Sequence, residues 1–187
     1  MEYIQQFLYA FGRWINSPEV LNLVANNRFF LILLVIVLVR LKYQTYSSMW
    51  ATALVNIPGT VLHELMHYMV GAVFNAKPCN FTIFPRRGVD GGYVMGSVGF
   101  RNIRAYNAVP AAMAPLLLLF IGFYLNRYFL PTIHLTAINY VLYVLLQTII
   151  IENAMPSGAD FRVAGTYAQG VIIYALAAGL LMYKLLF

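Results

Sequence analysis

Apolar residues recur at spacings of three and four through the first fifteen positions: Tyr3, Ile4, Phe7, Leu8, Phe11, Trp14 and Ile15, with Gln5, Gln6 and Arg13 between them. This pattern predicts an amphipathic helix over residues 1–16 whose aromatic face lies in a bilayer interface. Glu2 stands where a signal peptide would carry a basic segment, and no small-residue cleavage site follows, so no signal peptide is predicted. Beyond it, long apolar runs alternate with short polar ones. Ser17-Pro18-Glu19 supplies an N-cap, an N1 proline and an acidic first turn for a helix over 18–41. Further apolar runs predict transmembrane helices over 49–74, 106–128, 132–151 and 163–186, each near the roughly 20 residues a bilayer demands. Pro58-Gly59 predicts a kink in the second. Pro110 and Pro115 interrupt the third within a small-residue patch (Ala108, Ala111, Ala112, Ala114) suited to close helix approach. Between the second and third runs, Phe81–Phe84 and Tyr93–Phe100 have β-type composition and flank the turn-rich Pro85–Gly92, predicting a hairpin over 79–100. The expected fold is an all-α polytopic membrane protein in one domain, 1–187. It has about five transmembrane helices, an N-terminal interfacial helix and a membrane-associated β-hairpin.

Composition sharpens this picture. Hydrophobic residues make up 61% of the chain and charged ones 10%, against about 25% charged in soluble domains. An ordinary soluble domain, a disordered tail and a nucleic-acid binder are excluded. The net charge of +6 comes from basic residues lying between apolar runs, which makes it a topology signal. Strict alternation of five spans puts Arg13, Arg28, Lys77, Arg86, Arg87, Arg101, Arg104 and Arg162 on one side. Arg40, Lys42, Arg127 and Lys184 fall on the other. The richer side predicts a cytoplasmic N-terminus and hairpin. A single cysteine, Cys79, excludes an intrachain disulfide and a cysteine-based zinc cage. Neither a glycine-rich nucleotide loop nor a Ser/His/Asp order is present, so nucleotide partners and serine hydrolysis have no support.

The candidate chemistry lies in the second run. His63-Glu64-Leu65-Met66-His67 places two imidazoles four residues apart, on one side of a helix, where both reach a single ion. Glu64, one step round, can address water on that ion as a proton acceptor and later donor. A carboxylate at mid-span costs on the order of 2.5–3.5 kcal/mol, which marks it as functional rather than incidental. The competing reading is a buried polar cluster hydrogen-bonded to neighbouring helices.

A zinc site needs a third protein ligand. His134 begins the fourth run, on the opposite side of the membrane, and Asp90 sits in a charged turn beside Arg86 and Arg87. Glu152 and Asp160 lie at the right level. Asp160 is preferred because it follows a helix break, yet Ser157-Gly158-Ala159-Asp160 also fits a capping box. Asn153 can bond a substrate carbonyl or its oxyanion, or cap the fourth helix.

In this order the motifs resemble those of the site-2 protease family of intramembrane zinc metalloproteases. His63–His67 matches its zinc motif within a transmembrane helix, and Asn80–Phe100 is similar to its cytosolic, membrane-re-entrant hairpin. Ala112-Met113-Ala114-Pro115 resembles its small-residue-plus-proline patch. Asn153–Asp160 stands in place of its Asn-Pro-Asp-Gly-type motif, with Asn153 and Pro156 two residues apart and no glycine after Asp160. The resemblance covers about residues 49–165. It implies a Zn2+ ion held by His63, His67 and Asp160, Glu64 as general base, and cleavage of transmembrane or membrane-proximal protein segments in the lipid bilayer. Two other readings stand beside it. One is a non-catalytic adaptor or chaperone for client helices. The other is a metal or proton transporter using His63, Glu64 and His67 as a relay.

Overall fold

The computed structural model describes residues 2–44, 49–87 and 93–186. Its first helix, α1 (Glu2–Ile15), buries none of its residues and leaves Tyr3, Phe7 and Trp14 exposed. This is the geometry of a helix whose apolar face belongs to something outside the chain. Ser17 caps α2 (Pro18–Asn26) by accepting the Val20 N–H. The helix expected over 18–41 does not run through. Asn27 leaves helical geometry (φ −95°, ψ 100°), and its Oδ1 accepts the Phe29 N–H at 3.1 Å to open α3 (Arg28–Tyr43). The two helices meet at 80°. A mid-run asparagine has turned one span into two helices, because its side chain offers the backbone a competing bond.

Helix α4 (Met49–Val73) is a single 25-residue helix with Pro58 inside it. It ends at Asn75, whose φ of 55° is the left-handed turn that commonly stops a helix. The expected hairpin follows as two nested antiparallel pairs. β1 (Pro78–Thr82) pairs with β4 (Ser97–Phe100), and β2 (Arg86–Arg87) with β3 (Tyr93–Val94). The outer register slips between Cys79 and Thr82, where Asn80 sits at φ 52°, and such a bulge bends the strand. The return to the helices is fixed by fully buried Asn107. Its Oδ1 accepts the Arg104 N–H, and its Nδ2 donates to the carbonyls of Phe74 and Asn102.

The third run is broken rather than continuous. It forms α5 (Ala108–Ala112), a tight turn at 114–116, α6 (Leu117–Tyr124), a π-helical turn at 125–129 and a further tight turn at 130–132. Then come α7 (Ala137–Glu152), capped by Thr136, α8 (Gly158–Ala164), capped by Ser157, and α9 (Ala168–Leu186). Buried Met66, Ala114, Leu118, Ile150 and Ala154 join α4, α6 and α7 into one core. Tyr140, Tyr143 and Val144 join α7 to α2 and α3 in another.

The chain is mostly helical, as expected, but among the described residues five spans are not found. One stretch, Ala114–Thr132, is long and apolar enough to cross a bilayer, and the bent pairs α2–α3 and α8–α9 raise the number to three. Helix α4 falls short of that measure because it carries Asn56, His63, Glu64 and His67, and α7 because it is only 16 residues long. Two contacts also break the strict alternation. Lys42 Nζ lies 2.6 Å from Glu152 Oε2, although alternating spans would put these residues on opposite faces. Asn16 Oδ1 accepts the Ala137 N–H, placing the N-terminal helices at the far end of α7. Helices α3 and α7 therefore run parallel.

Helix α9 is docked through a glycine. A Cβ on Gly170 would overlap the Ala105 carbonyl oxygen, a backbone atom that cannot swing aside. Flanking it, Tyr167 and Tyr174 donate to the carbonyls of Ile103 and Tyr106. Gly170→Ala is expected to destabilise the bundle by about 1–3 kcal/mol through overpacking, seen as a lowered Tm in detergent; an unchanged Tm would reject this docking.

Candidate metal centre

His63 and His67 sit one turn apart on α4, with ring centroids 4.8 Å apart. Each Nδ1 meets a main-chain carbonyl at 2.8 Å: His63 donates to Asn153 and His67 to Ala111. Both carbonyls are free for a structural reason. A helical Ala111 carbonyl would be claimed by the N–H of residue 115, but that residue is proline and has none. The Asn153 carbonyl, at the end of α7, would be claimed by the Ser157 N–H, which is bonded instead to Asp160 Oδ2 at 2.6 Å. Two helix breaks thus supply the two acceptors that orient the histidines.

Those bonds set the chemistry of the other ring nitrogens. A carbonyl oxygen only accepts, so each Nδ1 carries the hydrogen, and in the neutral ring each Nε2 presents a lone pair. The two Nε2 atoms lie 3.2 Å apart. Asp160 completes the triangle, with Oδ1 3.2 Å from His67 Nε2 and Oδ2 3.5 Å from His63 Nε2. Around a tetrahedral ion with bonds of about 2.0–2.1 Å, ligand atoms stand about 3.3–3.4 Å apart. Lone pairs at that spacing repel one another unless a proton or a metal cation lies between them, and two imidazoles and a carboxylate are donors that fit a metal ion. Among the described residues, His63, His67 and Asp160 form the one such group.

Asp160 also does what the competing reading required. It accepts the Ser157 N–H, and Ser157 Oγ accepts the Asp160 N–H at 3.2 Å, completing the capping box. Cap and candidate ligand are the same carboxylate, and the box orients it.

Glu64 is buried beside this triangle. A Cβ added at Gly96 would come within 2.5 Å of the Thr60 methyl and 2.9 Å of Glu64 Oε1, so the chain between β3 and β4 lies directly on the carboxylate. Between this strand and the 153–160 break is a cavity of about 650 Å3, lined by His63, Glu64, His67, Ser97, Asn153 and Asp160 among others. Gly96→Val is expected to displace Glu64 and lower any hydrolytic rate by about a hundredfold, the scale of a 1 Å misplacement, while the metal ligands keep their places. Zinc content and turnover measured together check this, and full activity in Gly96→Val contradicts it.

Asn153 lines the cavity, but its Nδ2 donates to the Ile149 carbonyl at 2.8 Å and its amide packs against Gly59. The residue reaches the site through its main-chain carbonyl. Glu152 is paired with Lys42 and does not join the triangle. His134 precedes α7 at the end away from the metal centre, about 24 Å off along that helix, and its carbonyl accepts from Asn139. Asp90 lies outside the described residues.

Sequence reading overlooked two positions. Gly96 carried no signal beyond being one glycine among several. Pro115 was visible in the helix pattern, but its consequence four residues earlier, at Ala111, was not drawn. Pro115→Ala restores an N–H that competes for the Ala111 carbonyl, so zinc affinity is expected to fall about 10–100-fold, as when other outer partners of metal-bound histidines are lost. Competition with a chromophoric chelator measures this, and unchanged affinity would exclude a role for the proline. No protein-family model, curated protein or solved structure matches this chain.

Proposed function

We propose that the chain is a zinc-dependent intramembrane endopeptidase acting on transmembrane or membrane-proximal segments of other proteins. The observation that carries this reading is the convergence of His63 Nε2 and His67 Nε2, 3.2 Å apart, on the Asp160 carboxylate, whose Oδ1 lies 3.2 Å from His67 Nε2 and Oδ2 3.5 Å from His63 Nε2, with buried Glu64 next to them. The resemblance of the motif order to site-2 proteases supports the same conclusion. When bound, zinc lowers the pKa of a water molecule to about 7 and polarises a peptide carbonyl. Glu64 is placed to serve as the general base, and would accept a proton from the attacking water and return it to the departing nitrogen. Ala111 and Asn153 hold the two imidazoles by their Nδ1 hydrogens, and Ser157 holds the carboxylate.

A helical peptide hides its carbonyls, so the substrate must be extended. Among the described residues strand β4 pairs with β1 alone, and its Ser97, Val98 and Phe100 border the cavity. A peptide strand added to the other edge passes in front of the triangle. The metal end also carries most of the basic residues: Arg40, Lys42, Lys77, Arg86, Arg87, Arg101, Arg104 and Arg162. By the positive-inside rule this end faces the cytoplasm, and α1, at the other end of α7, lies on the opposite membrane face.

The test is cleavage of a transmembrane peptide by the purified chain in proteoliposomes, followed by mass spectrometry. Expected are fragments that disappear on removal of zinc by 1,10-phenanthroline and return on its re-addition. Cleavage indifferent to the chelator would refute the proposal, and so would a chain that holds client helices intact with zinc bound.

A further inference from the structure

A second cavity, also of about 650 Å3, lies at the opposite end of the bundle from the metal centre. It sits among α2, the start of α3 and the 125–135 segment. Among the described residues its polar lining is one guanidinium and three carboxamides, Arg127, Asn22, Asn26 and Asn126, with no acidic side chain. The remaining walls are apolar, with Leu31, Phe123 and Ile133 among them. A cationic, donor-rich spot inside apolar walls suits an amphiphilic anion better than a free ion.

Two independent features show that the polar spot is built. The first is the π-helical turn at Leu125–Phe129, which carries both Asn126 and Arg127. Such turns are costly departures from α-geometry and concentrate at functional positions. The second is a chain of hydrogen bonds through the buried core of α7. Gln147 Nε2 donates to the Tyr143 hydroxyl at 2.8 Å, and that hydroxyl donates to Asn126 Oδ1 at 2.9 Å. Gln147 and Tyr143 are 2% and 3% exposed. With its oxygen held from behind, Asn126 has no partner for its amide hydrogens among the described residues and can offer them to a ligand. Arg127 lies 5.7 Å from the Tyr128 ring centroid, which steadies the guanidinium without neutralising it.

The location agrees with this chemistry. Asn16, at the junction of α1 and α2, is bonded to Ala137 at the same end of α7, so the cavity lies at the end of the bundle from which α1, with its exposed apolar face, extends. We propose that this cavity binds the phosphate headgroup of a membrane phospholipid. Arg127 and the Asn126 amide contact the phosphate, and an acyl chain lies along Phe123 and Ile133. The site is separate from the metal centre and does not depend on the protease reading.

The experiment is native mass spectrometry of the full chain released from maltoside micelles, titrated with phosphatidylglycerol and, in parallel, with inorganic phosphate. The parent chain is expected to retain one phospholipid saturably, with inorganic phosphate neither bound nor able to displace it. Arg127→Gln should weaken retention about tenfold or more, because charge-assisted bonds to phosphate dominate such sites. Tyr143→Phe should weaken it as well by releasing Asn126, whereas Arg127→Lys should retain part of it. An unchanged melting temperature in each variant shows that the fold is intact. Equal lipid retention in the parent and Arg127→Gln overturns the proposal, and displacement of lipid by millimolar phosphate identifies a free-anion site instead.

Discussion

Glu64→Gln is expected to leave zinc bound and to reduce peptide cleavage by about 10²–10⁴-fold, the range general acid–base groups supply. The prediction has two halves because the residue touches one function and not the other. Glu64 is buried next to the triangle, but its oxygens are not among the atoms that form it. The metal ligands keep their orienting bonds to Ala111 and Asn153 in the variant. Glutamine is close to isosteric, so it fits beneath Gly96, where a larger group would not. What disappears is a site that can accept a proton from water. Cleavage at the parent rate would remove Glu64 from the mechanism, and loss of zinc would make it a ligand.

Asp160→Asn is expected to lower zinc affinity at least about a hundredfold, beyond the upper end of what outer partners cost. The asparagine oxygen can still accept the Ser157 N–H, so α8 stays capped, but the negative charge facing the two Nε2 atoms is gone. Ser157→Ala gives the contrast. It removes only the bond from Asp160 N to Ser157 Oγ and should cost about 1 kcal/mol of stability while zinc remains bound. Equilibrium dialysis and thermal melts of the two variants distinguish the carboxylate's two tasks. If both variants lose stability and neither loses zinc, Asp160 is a cap alone.

The sequence made different parts of the molecule legible to different degrees. The helix pair of histidines needed only the 3.6-residue period, and the hairpin only the contrast between β-type flanks and a turn-rich middle. The choice between ligand and cap for Asp160 could not be made from spacing, because a carboxylate has two oxygens and the fold employs both. Glu152 and Asp160 looked equivalent by membrane level. They separate only through Lys42, 110 positions away from Glu152 in the chain, a pairing that no local pattern encodes. Among the described residues one to three of the five expected spans are recovered, for a related reason. Apolar run length does not show where a capping asparagine such as Asn27 will split a run, nor how far the polar site residues of α4 lower the apolar character of that helix. Pro115 shows the opposite case: its helix-breaking effect was visible in the sequence, while the use of the carbonyl it frees required knowing where His67 lies.

The most direct test is zinc stoichiometry with X-ray absorption on the purified chain from zinc-replete cells. The expected result is one zinc per chain, bound by two imidazole nitrogens and a carboxylate oxygen at about 2.0–2.2 Å, and absent from the His63→Ala/His67→Ala double variant. A chain purified without stoichiometric zinc, or zinc held equally well by the double variant, would contradict the account at its centre.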